Sequence, residues 1–384
     1  MSTEKLPAGV GLEDWLVQRP ASEFPRVGGQ MGDWAYPQRY AMLRDALKSV
    51  QERVEVGALL ASVVAYQQQL RREFQRLYVG KSKKKRRWQL LLADPFVYLN
   101  GHGPGHVACV MDRAADLLRH FDSGHLSGYE LFLLLCSIQI HDVGNVYGRA
   151  EHEKKCGRIL DEKCGNFLPD RVERNSLIEI ARVHSGIADG NLDTISSLPV
   201  PRPLRGAIVR ERVLAAILRM ADEMADDESR ADRQGLDEDE LPKESVIYHR
   251  YSEALHSVNL ERPDHSPLTL RLCFDIDSSL AGRPMSKGGS DRYLLDEVYD
   301  RTLKVERERR YCMRFLRPHI SLERVRVEIV VTDTVEISRS KRIDYNLEET
   351  GYPSQPIPGN IREFASDVPT GIQEAERIRR EWTS

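Results

Sequence analysis

The segment YELFLLLCSIQIHDVGN, residues 129–145, ends a long apolar run with an adjacent histidine and aspartate. The run predicts a core helix, and Gly144 marks its end. His141 and Asp142 therefore lie at the mouth of a buried helix, where a carboxylate without a partner is unfavourable. The doublet is expected to supply metal ligands or an acid and base pair.

Four other residues offer metal-binding groups in helical surroundings. His106 follows the turn-forming sequence GHGPG and opens an apolar helix, and His152 opens another. His184 closes a third helix, and Asp222 follows the apolar stretch of a fourth. Each residue alone would be an ordinary polar residue of a helical core. Together with the doublet, they indicate one shared cavity.

The pattern around these residues is mainly α-helical. Residues 1–93 are predicted to form an N-terminal extension that is mostly helical, and residues 94–235 a helical bundle. Helices within the bundle are predicted over 151–163, 171–184 and 204–229. We expect their polar positions to face the shared cavity.

After residue 235 the apolar period changes to two, which is typical of strands. Strands are predicted over 246–260, 268–277 and 325–331. With a helix over 293–316 between the last two, this order predicts a small α+β module with antiparallel strands over residues 236–344. Residues 345–384 are expected to form an extended tail, with a short helix near 371–382.

The composition describes an ordinary water-soluble protein of 384 residues, with 41% hydrophobic and 30% charged residues. The formal net charge of -3 excludes a global attraction to nucleic acid or anionic membranes. We expect neither a secretory leader nor a membrane span, which requires roughly 18 apolar residues. Six scattered cysteines without a CxxC pair indicate reduced, mostly buried thiols. The sequence therefore predicts a cytoplasmic protein without a membrane partner.

The run KSKKKRR, residues 81–87, is the most concentrated charge in the chain. Such a run can bind a phosphate backbone, which would make nucleic acid the substrate. A solvated loop between helices is the more common structure for it. The choice between a nucleotide and a nucleic-acid substrate stays open at this point.

The ordered set of candidate ligands resembles the HD superfamily of metal-dependent phosphohydrolases, whose pattern is H…HD…(H…H)…D on a bundle of helices. The matching residues are His106, His141, Asp142, His152, His184 and Asp222. The similarity covers residues 95–233 and implies an HD-type helical bundle. The phrases around His106 and GRAEHE are closest to HD domains found beside Hsp90-like ATPases in bacterial conflict systems, which makes such an ATPase a candidate partner.

The resemblance implies a centre with two metal ions. One ion would be held by His106, His141 and Asp222, and the other by His152 and His184. Asp142 would bridge the ions because its carboxylate has two oxygens. Imidazole and carboxylate ligands favour Mn, Fe, Co, Ni or Zn over Ca, with Mg as an alternative. A metal-activated water would then attack the phosphorus atom of the substrate. His141 and Asp142 are the expected catalytic residues.

Cations near the ligands in sequence are candidates for binding substrate phosphate. Arg149 and Lys155 are the first candidates, and Lys154 and Arg219 are further ones. An ordinary surface residue, or one that lies behind the ligands, is the more common role for each of them.

Other polar residues near the ligands are assigned lesser roles. Glu153 and Glu223 adjoin ligands and could orient their ring nitrogens. His102, His120 and His125 are predicted not to bind metal.

The expected function is hydrolysis of a phosphoester or phosphoanhydride of a nucleotide. The first alternative is a metal-dependent nuclease that acts on DNA or RNA in antiviral defence. The second is a non-catalytic module for nucleotide sensing or assembly, although such a module has no need of six metal-seeking groups. An oligomer is compatible with all three.

Overall fold

The computed structural model describes residues 4–25, 35–55, 102–147, 151–166, 168–184, 191–238, 241–262, 267–336, 338–349 and 359–382. The charge run 81–87, residues 56–80 of the predicted N-terminal extension, and Arg149 lie outside these residues.

Helices form the part of the protein that carries the predicted ligands. Helix α1 (Leu12–Gln18) and a helix over 36–55 (α2) come first. The bundle then consists of α3 (Pro104–Arg119), α4 (Gly128–Ile140), α5 (His152–Cys164), α6 (Arg171–Arg182) and α7 (Glu211–Met224). The predicted helices 151–163 and 171–184 are confirmed to within two residues.

Helix α4 lies at the centre of this bundle. All of its residues are buried, and it contacts α1, α3, α6 and α7. A capping box fixes its start: Ser127 accepts from the Glu130 backbone, and the Glu130 side chain accepts from the Ser127 backbone. Arg210 pairs with the buried Glu130 carboxylate at 2.7 Å, which offsets its desolvation.

The predicted helix 204–229 is wrong at its start. A short hairpin of β1 (Arg202–Leu204) and β2 (Ala207–Val209) precedes α7. Its turn residues Arg205 and Gly206 have φ of 52° and 87°. Two consecutive positive φ values match the twist of a two-residue hairpin, and they exclude a helix at this point.

The C-terminal part contains a four-stranded sheet in the order β3-β4-β7-β8. Its strands are β3 (Leu255–Glu261), β4 (Leu268–Asp277), β7 (Leu322–Thr332) and β8 (Ser340–Glu348). A separate hairpin is formed by β5 (Pro284–Lys287) and β6 (Ser290–Tyr293). The mainly α architecture with a small α+β part is thereby confirmed.

The structure corrects the predicted strand pattern at three places. Residues 246–254 belong to a helix, α9 (Lys243–Ala254), and only the rest of the predicted strand 246–260 lies in β3. The expected antiparallel sheet is mixed, because β4 and β7 pair in parallel. The long helix α11 (Leu294–Leu316) connects them and returns the chain to the same end of the sheet. Residues 345–348, assigned to an extended tail, complete β8.

Helix α11 joins the sheet to the bundle, since it contacts both α7 and the strands β7 and β8. Residues from α1 through the C-terminal helix α12 (Gly371–Glu381) share one continuous hydrophobic core. Two short helices, α8 (Arg233–Asp237) and α10 (Ser278–Ala281), complete the described elements. All six cysteines are free thiols, and all but Cys109 are buried. Within the described residues, no helix has the length and apolarity to cross a membrane.

Candidate metal centre

The predicted ligands meet because they lie at the ends of the bundle helices. The six residues are His106 in the first turn of α3, His141 and Asp142 after α4, His152 at the start of α5, His184 after α6, and Asp222 in the last turn of α7. Side chains at helix ends can reach a common space that the helix axes leave open, which allows separate elements to build one cluster.

The two carboxylate oxygens of Asp142 face different imidazoles. Its Oδ1 atom lies 3.2 Å from Nε2 of His152 and 3.8 Å from Nε2 of His184. Its Oδ2 atom lies 3.5 Å from Nε2 of His141 and 3.6 Å from Nε2 of His106. The carboxylate therefore stands between two pairs of histidines, which is the arrangement that a bridging ligand requires.

Asp222 completes the pair of histidines on the Oδ2 side. Its Oδ1 atom lies 3.1 Å from Nε2 of His106 and 3.8 Å from Nε2 of His141. The Asp222 side chain is 27% exposed, whereas those of His106 and His141 are at most 1% exposed. The cluster is thus open toward solvent on the side of Asp222.

Backbone carbonyls orient two of the imidazoles. Nδ1 of His141 donates to the carbonyl of Ile138 at 2.7 Å, and Nδ1 of His184 donates to the carbonyl of Ala181. A carbonyl only accepts, so Nδ1 carries the proton in both rings. The lone pair of each Nε2 then points into the cluster, where it can bind a cation.

The two remaining imidazoles differ in their outer contacts. Nδ1 of His152 lies 3.3 Å from Oε2 of Glu153, which agrees with the orienting role predicted for that glutamate. Glu223 instead pairs with Lys304 at 2.6 Å, so the imidazole contact predicted for it is wrong. Nδ1 of His106 is buried without a hydrogen-bond partner among the described residues.

Burial controls the protonation of the cluster. Desolvation lowers the pKa of His184 and His102 to about 4, and it also lowers the pKa of His106. Burial alone would raise the pKa of Asp142 and Asp222, but the adjacent imidazoles more than offset this and hold both pKa values below the usual range. Near neutral pH His102, His106 and His184 are uncharged and both carboxylates are ionised, which is the protonation state that metal binding needs.

The donor set could hold a divalent metal ion. Among the described residues, donor atoms lie within 4.8 Å of one another in each of three groups: His106–His141–Asp222, Asp142–His152–His184 and His102–His106–Asp142. Each group combines imidazole nitrogen with carboxylate oxygen, a mixture that suits first-row transition metals. The first two groups contain the residues that the resemblance assigns to the two ions, and the third adds His102, which was predicted not to bind metal.

Among the described residues, three of the predicted phosphate-binding cations contact groups outside the six predicted ligands. Lys155 donates to the carbonyl of Tyr147 at 3.2 Å, and Lys154 pairs with Glu151 on the surface. Arg219 is turned toward α11, where Glu308 holds it at 2.6 Å.

Three residues that sequence analysis did not assign to the cluster belong to its surroundings. Nδ1 of His102 lies 2.9 Å from Oδ2 of Asp142, so this histidine, predicted not to bind metal, borders the centre. Arg230, from the turn after α7, approaches the His102 ring at 3.2 Å. Asn145 donates to Oδ1 of Asp142 at 2.9 Å. The sequence signal for Asn145 was its position one turn after the aspartate, whereas Arg230 had no such signal.

Comparison with known protein families gives a match over more than half of the chain. A family model described as HD-CE matches residues 90–302, which include the bundle, the first two strands of the sheet and part of α11. No curated protein and no solved structure shows a significant match. The match reaches well beyond residue 233, where the similarity recognised from sequence ended.

Proposed function

This chain belongs to the HD-CE family of HD-type domains, and we propose that it is a metal-dependent phosphohydrolase acting on a nucleotide. The observation that carries the proposal is the position of Asp142 between two groups of metal-binding donors. A carboxylate whose two oxygens face different sets of imidazoles suits two adjacent cations better than a single ion. The proposed reaction is cleavage of a phosphoester or phosphoanhydride.

We propose that His106, His141 and Asp222 hold one ion, that His152 and His184 hold the other, and that Asp142 bridges them. Mn, Fe, Co, Ni or Zn suits these donors, and Mg is the alternative. Bound ions would supply a Lewis acid and a hydroxide nucleophile near neutral pH. The chain itself fixes the donor geometry, because α4 is wholly buried and backbone carbonyls orient His141 and His184.

Two cations support a phosphate ligand on the open side of the cluster. Arg230 lies beside His102, and its side chain is 12% exposed. Lys304 is 61% exposed and pairs with Glu223, the neighbour of Asp222. Arg230 pairs with Asp226 and Lys304 pairs with Glu223, and both place positive charge near the Asp222 side, where it would offset the charge of phosphate oxygens. Arg149 and Lys155 remain further candidates for this contact.

The alternative functions depend on different features of the chain. The nuclease in antiviral defence depends on the run 81–87, which is outside the described residues. A non-catalytic module is disfavoured because six donor side chains converge where a sensor needs none. An Hsp90-like ATPase partner, a conflict-system branch and an oligomer remain proposals that follow from the resemblance.

Metal analysis followed by a phosphate-release screen tests the proposal. The purified protein should contain about two transition-metal ions per chain by mass spectrometry, and it should release product from at least one nucleotide. The same screen includes single- and double-stranded nucleic acids. Salt dependence separates the two substrate classes, because affinity for a ligand bound through several phosphates falls steeply with salt.

The doublet variant His141→Ala/Asp142→Ala should lose both the ions and the activity. His120→Ala is the matched control, since it removes a histidine that lies outside the donor groups. Product release by the doublet variant at the rate of the parent would overturn the proposal.

A further inference from the structure

A chain of polar contacts leads outward from the bridging carboxylate. Its first link is His102, which precedes α3 and whose Nδ1 lies 2.9 Å from Oδ2 of Asp142. A carboxylate at this protonation state only accepts, so Nδ1 of His102 carries the donated proton. The contact holds Oδ2 on the side of His106 and His141 and thereby helps to fix the rotation of the carboxylate.

The second link is Arg230. Its Nη2 lies 3.2 Å from Nδ1 and 3.4 Å from Nε2 of His102. Because these two distances are nearly equal, Nη2 lies against the face of the ring. Arg230 therefore limits the movement of the imidazole that contacts Asp142.

The third link is Asp226, four residues after Asp222. Its Oδ1 lies 3.6 Å from Nη1 of Arg230 and accepts from Ser252 at 3.1 Å. Its Oδ2 is bound by Nη1 of Arg301, a residue of α11. One carboxylate thus lies between two guanidinium groups and connects Arg230 to Arg301.

Arg301 is the fixed end of this chain. Its guanidinium lies 4.4 Å from the ring centre of Tyr251 and 5.3 Å from that of Tyr248, both on α9. Its Nε donates to Glu297 at 3.0 Å, one turn earlier on α11. An arginine stacked on two rings and bound by two carboxylates has little rotamer freedom left.

We propose that Arg301 is a positioning residue for the metal centre, acting through Asp226, Arg230 and His102 on the carboxylate of Asp142. This inference rests on the metal centre of the proposed function. It makes α11, and the sheet on which α11 packs, part of the support of the centre rather than an independent module. Outer residues that orient metal ligands typically change metal affinity by about 10- to 100-fold when they are replaced.

The first test measures metal affinity rather than activity. In the full-length protein, Arg301→Gln should weaken binding of at least one ion about 10-fold or more in a competition titration with a chelator. Arg301→Lys should recover part of this loss, because lysine keeps the charge but lacks the planar fork. Arg314→Gln is the matched control: Arg314 lies on the same helix, pairs with Asp193, and is 54% exposed.

Far-ultraviolet circular dichroism and the melting temperature establish that each variant is folded. Metal affinity of Arg301→Gln equal to that of Arg314→Gln would overturn the proposal. So would a loss in Arg301→Gln that Arg301→Lys does not recover at all, because the charge would then have no role.

A double-mutant cycle tests whether Arg301 acts through His102. If the residues belong to one chain of contacts, the loss in His102→Gln/Arg301→Gln should be clearly smaller than the product of the single losses. Losses that multiply would mean independent effects and would overturn the proposal.

Failure of the Arg301 proposal can be distinguished from failure of the proposed function. A parent protein that binds metal but hydrolyses no nucleotide or nucleic acid contradicts the function, while the titrations still decide the role of Arg301. A parent that binds no metal overturns both.

Discussion

A Cβ atom on Gly144 would stand 1.9 Å from the carbonyl oxygen of His152. The 3-10 turn Val143–Tyr147 therefore packs directly on the start of α5. Any side chain at residue 144 would have to displace backbone, which is far less adaptable than a side-chain terminus. The close approach sets the distance between Asp142 and His152, and thus the width of one donor group.

Gly144→Ala is expected to move the turn away from α5. Overpacking of this kind destabilises a protein by about 1–3 kcal/mol. The variant should also lose the ion assigned to Asp142, His152 and His184 while it keeps the other. Urea unfolding and metal analysis measure the two effects. Gly105→Ala is the control, because a Cβ there meets nothing within 4 Å; identical behaviour of the two variants would contradict the packing argument.

Removing one ligand from either donor group should leave the other group able to bind. His184→Gln and His106→Gln are each expected to reduce the metal content by one ion per chain. Activity should fall by more than the roughly 10- to 100-fold typical of outer residues, since a direct ligand is lost. Mass spectrometry of the purified variants gives the stoichiometry. Two ions retained in both variants would be incompatible with the assigned ligands.

The buried pair of Arg39 and Glu173 should be a major contribution to stability. The side chains are 2% and 0% exposed, and Tyr129 also donates to Glu173 at 2.9 Å. Glu173→Ala leaves a buried guanidinium without its carboxylate partner, which is expected to lower the free energy of unfolding by about 3–5 kcal/mol.

Chemical denaturation of the metal-free protein measures this loss. Glu162→Ala serves as the comparison, because its pair with Arg158 lies on the surface and should contribute nothing measurable. An unfolding free energy of Glu173→Ala close to that of the comparison variant would refute the expectation.

Asp226 should make stability depend on acid pH. Burial raises the pKa of this carboxyl, but Arg301 and Arg230 outweigh burial and lower the pKa from 3.8 to about 2. The unfolded chain therefore binds the proton more readily than the folded one. The stabilisation is complete above pH 3.8 and disappears as the pH falls toward 2.

The difference in unfolding free energy between the parent and Asp226→Asn tests this dependence. We expect about 2 kcal/mol at pH 7 and a progressive decrease below pH 4. Urea unfolding at several pH values provides the measurement, and a pH-independent difference would show that the charge of Asp226 is not the cause.

Much of the fold could be predicted from apolar periodicity. The helices 151–163 and 171–184 and the strand 268–277 were predicted correctly, because packing and intrinsic preference agree there. The strand 246–260 was half wrong, since tertiary contacts of α9 prevail over a weak local pattern. Strand β8 was missed although Ile343, Tyr345 and Leu347 alternate with exposed residues.

The parallel pairing of β4 and β7 shows a second kind of failure. The order strand, helix, strand was predicted correctly, but the direction of pairing was not. A long helix between two strands returns the chain to its starting end and so favours parallel pairing, a rule that was available from the sequence.

The sequence by itself determined which residues could hold metal. Metal binding requires particular side chains, and the local sequence pattern predicts where helices end. The sequence thus listed the six candidate donors, and the resemblance to HD proteins added their division between two ions, which stays a prediction. Only the tertiary structure decided how the oxygens of Asp142 face those groups, and that His102, Arg230 and Arg301 support them. Such contacts join residues as much as 128 positions apart, as in Arg230 and His102, and no local pattern encodes a distance between separate helices.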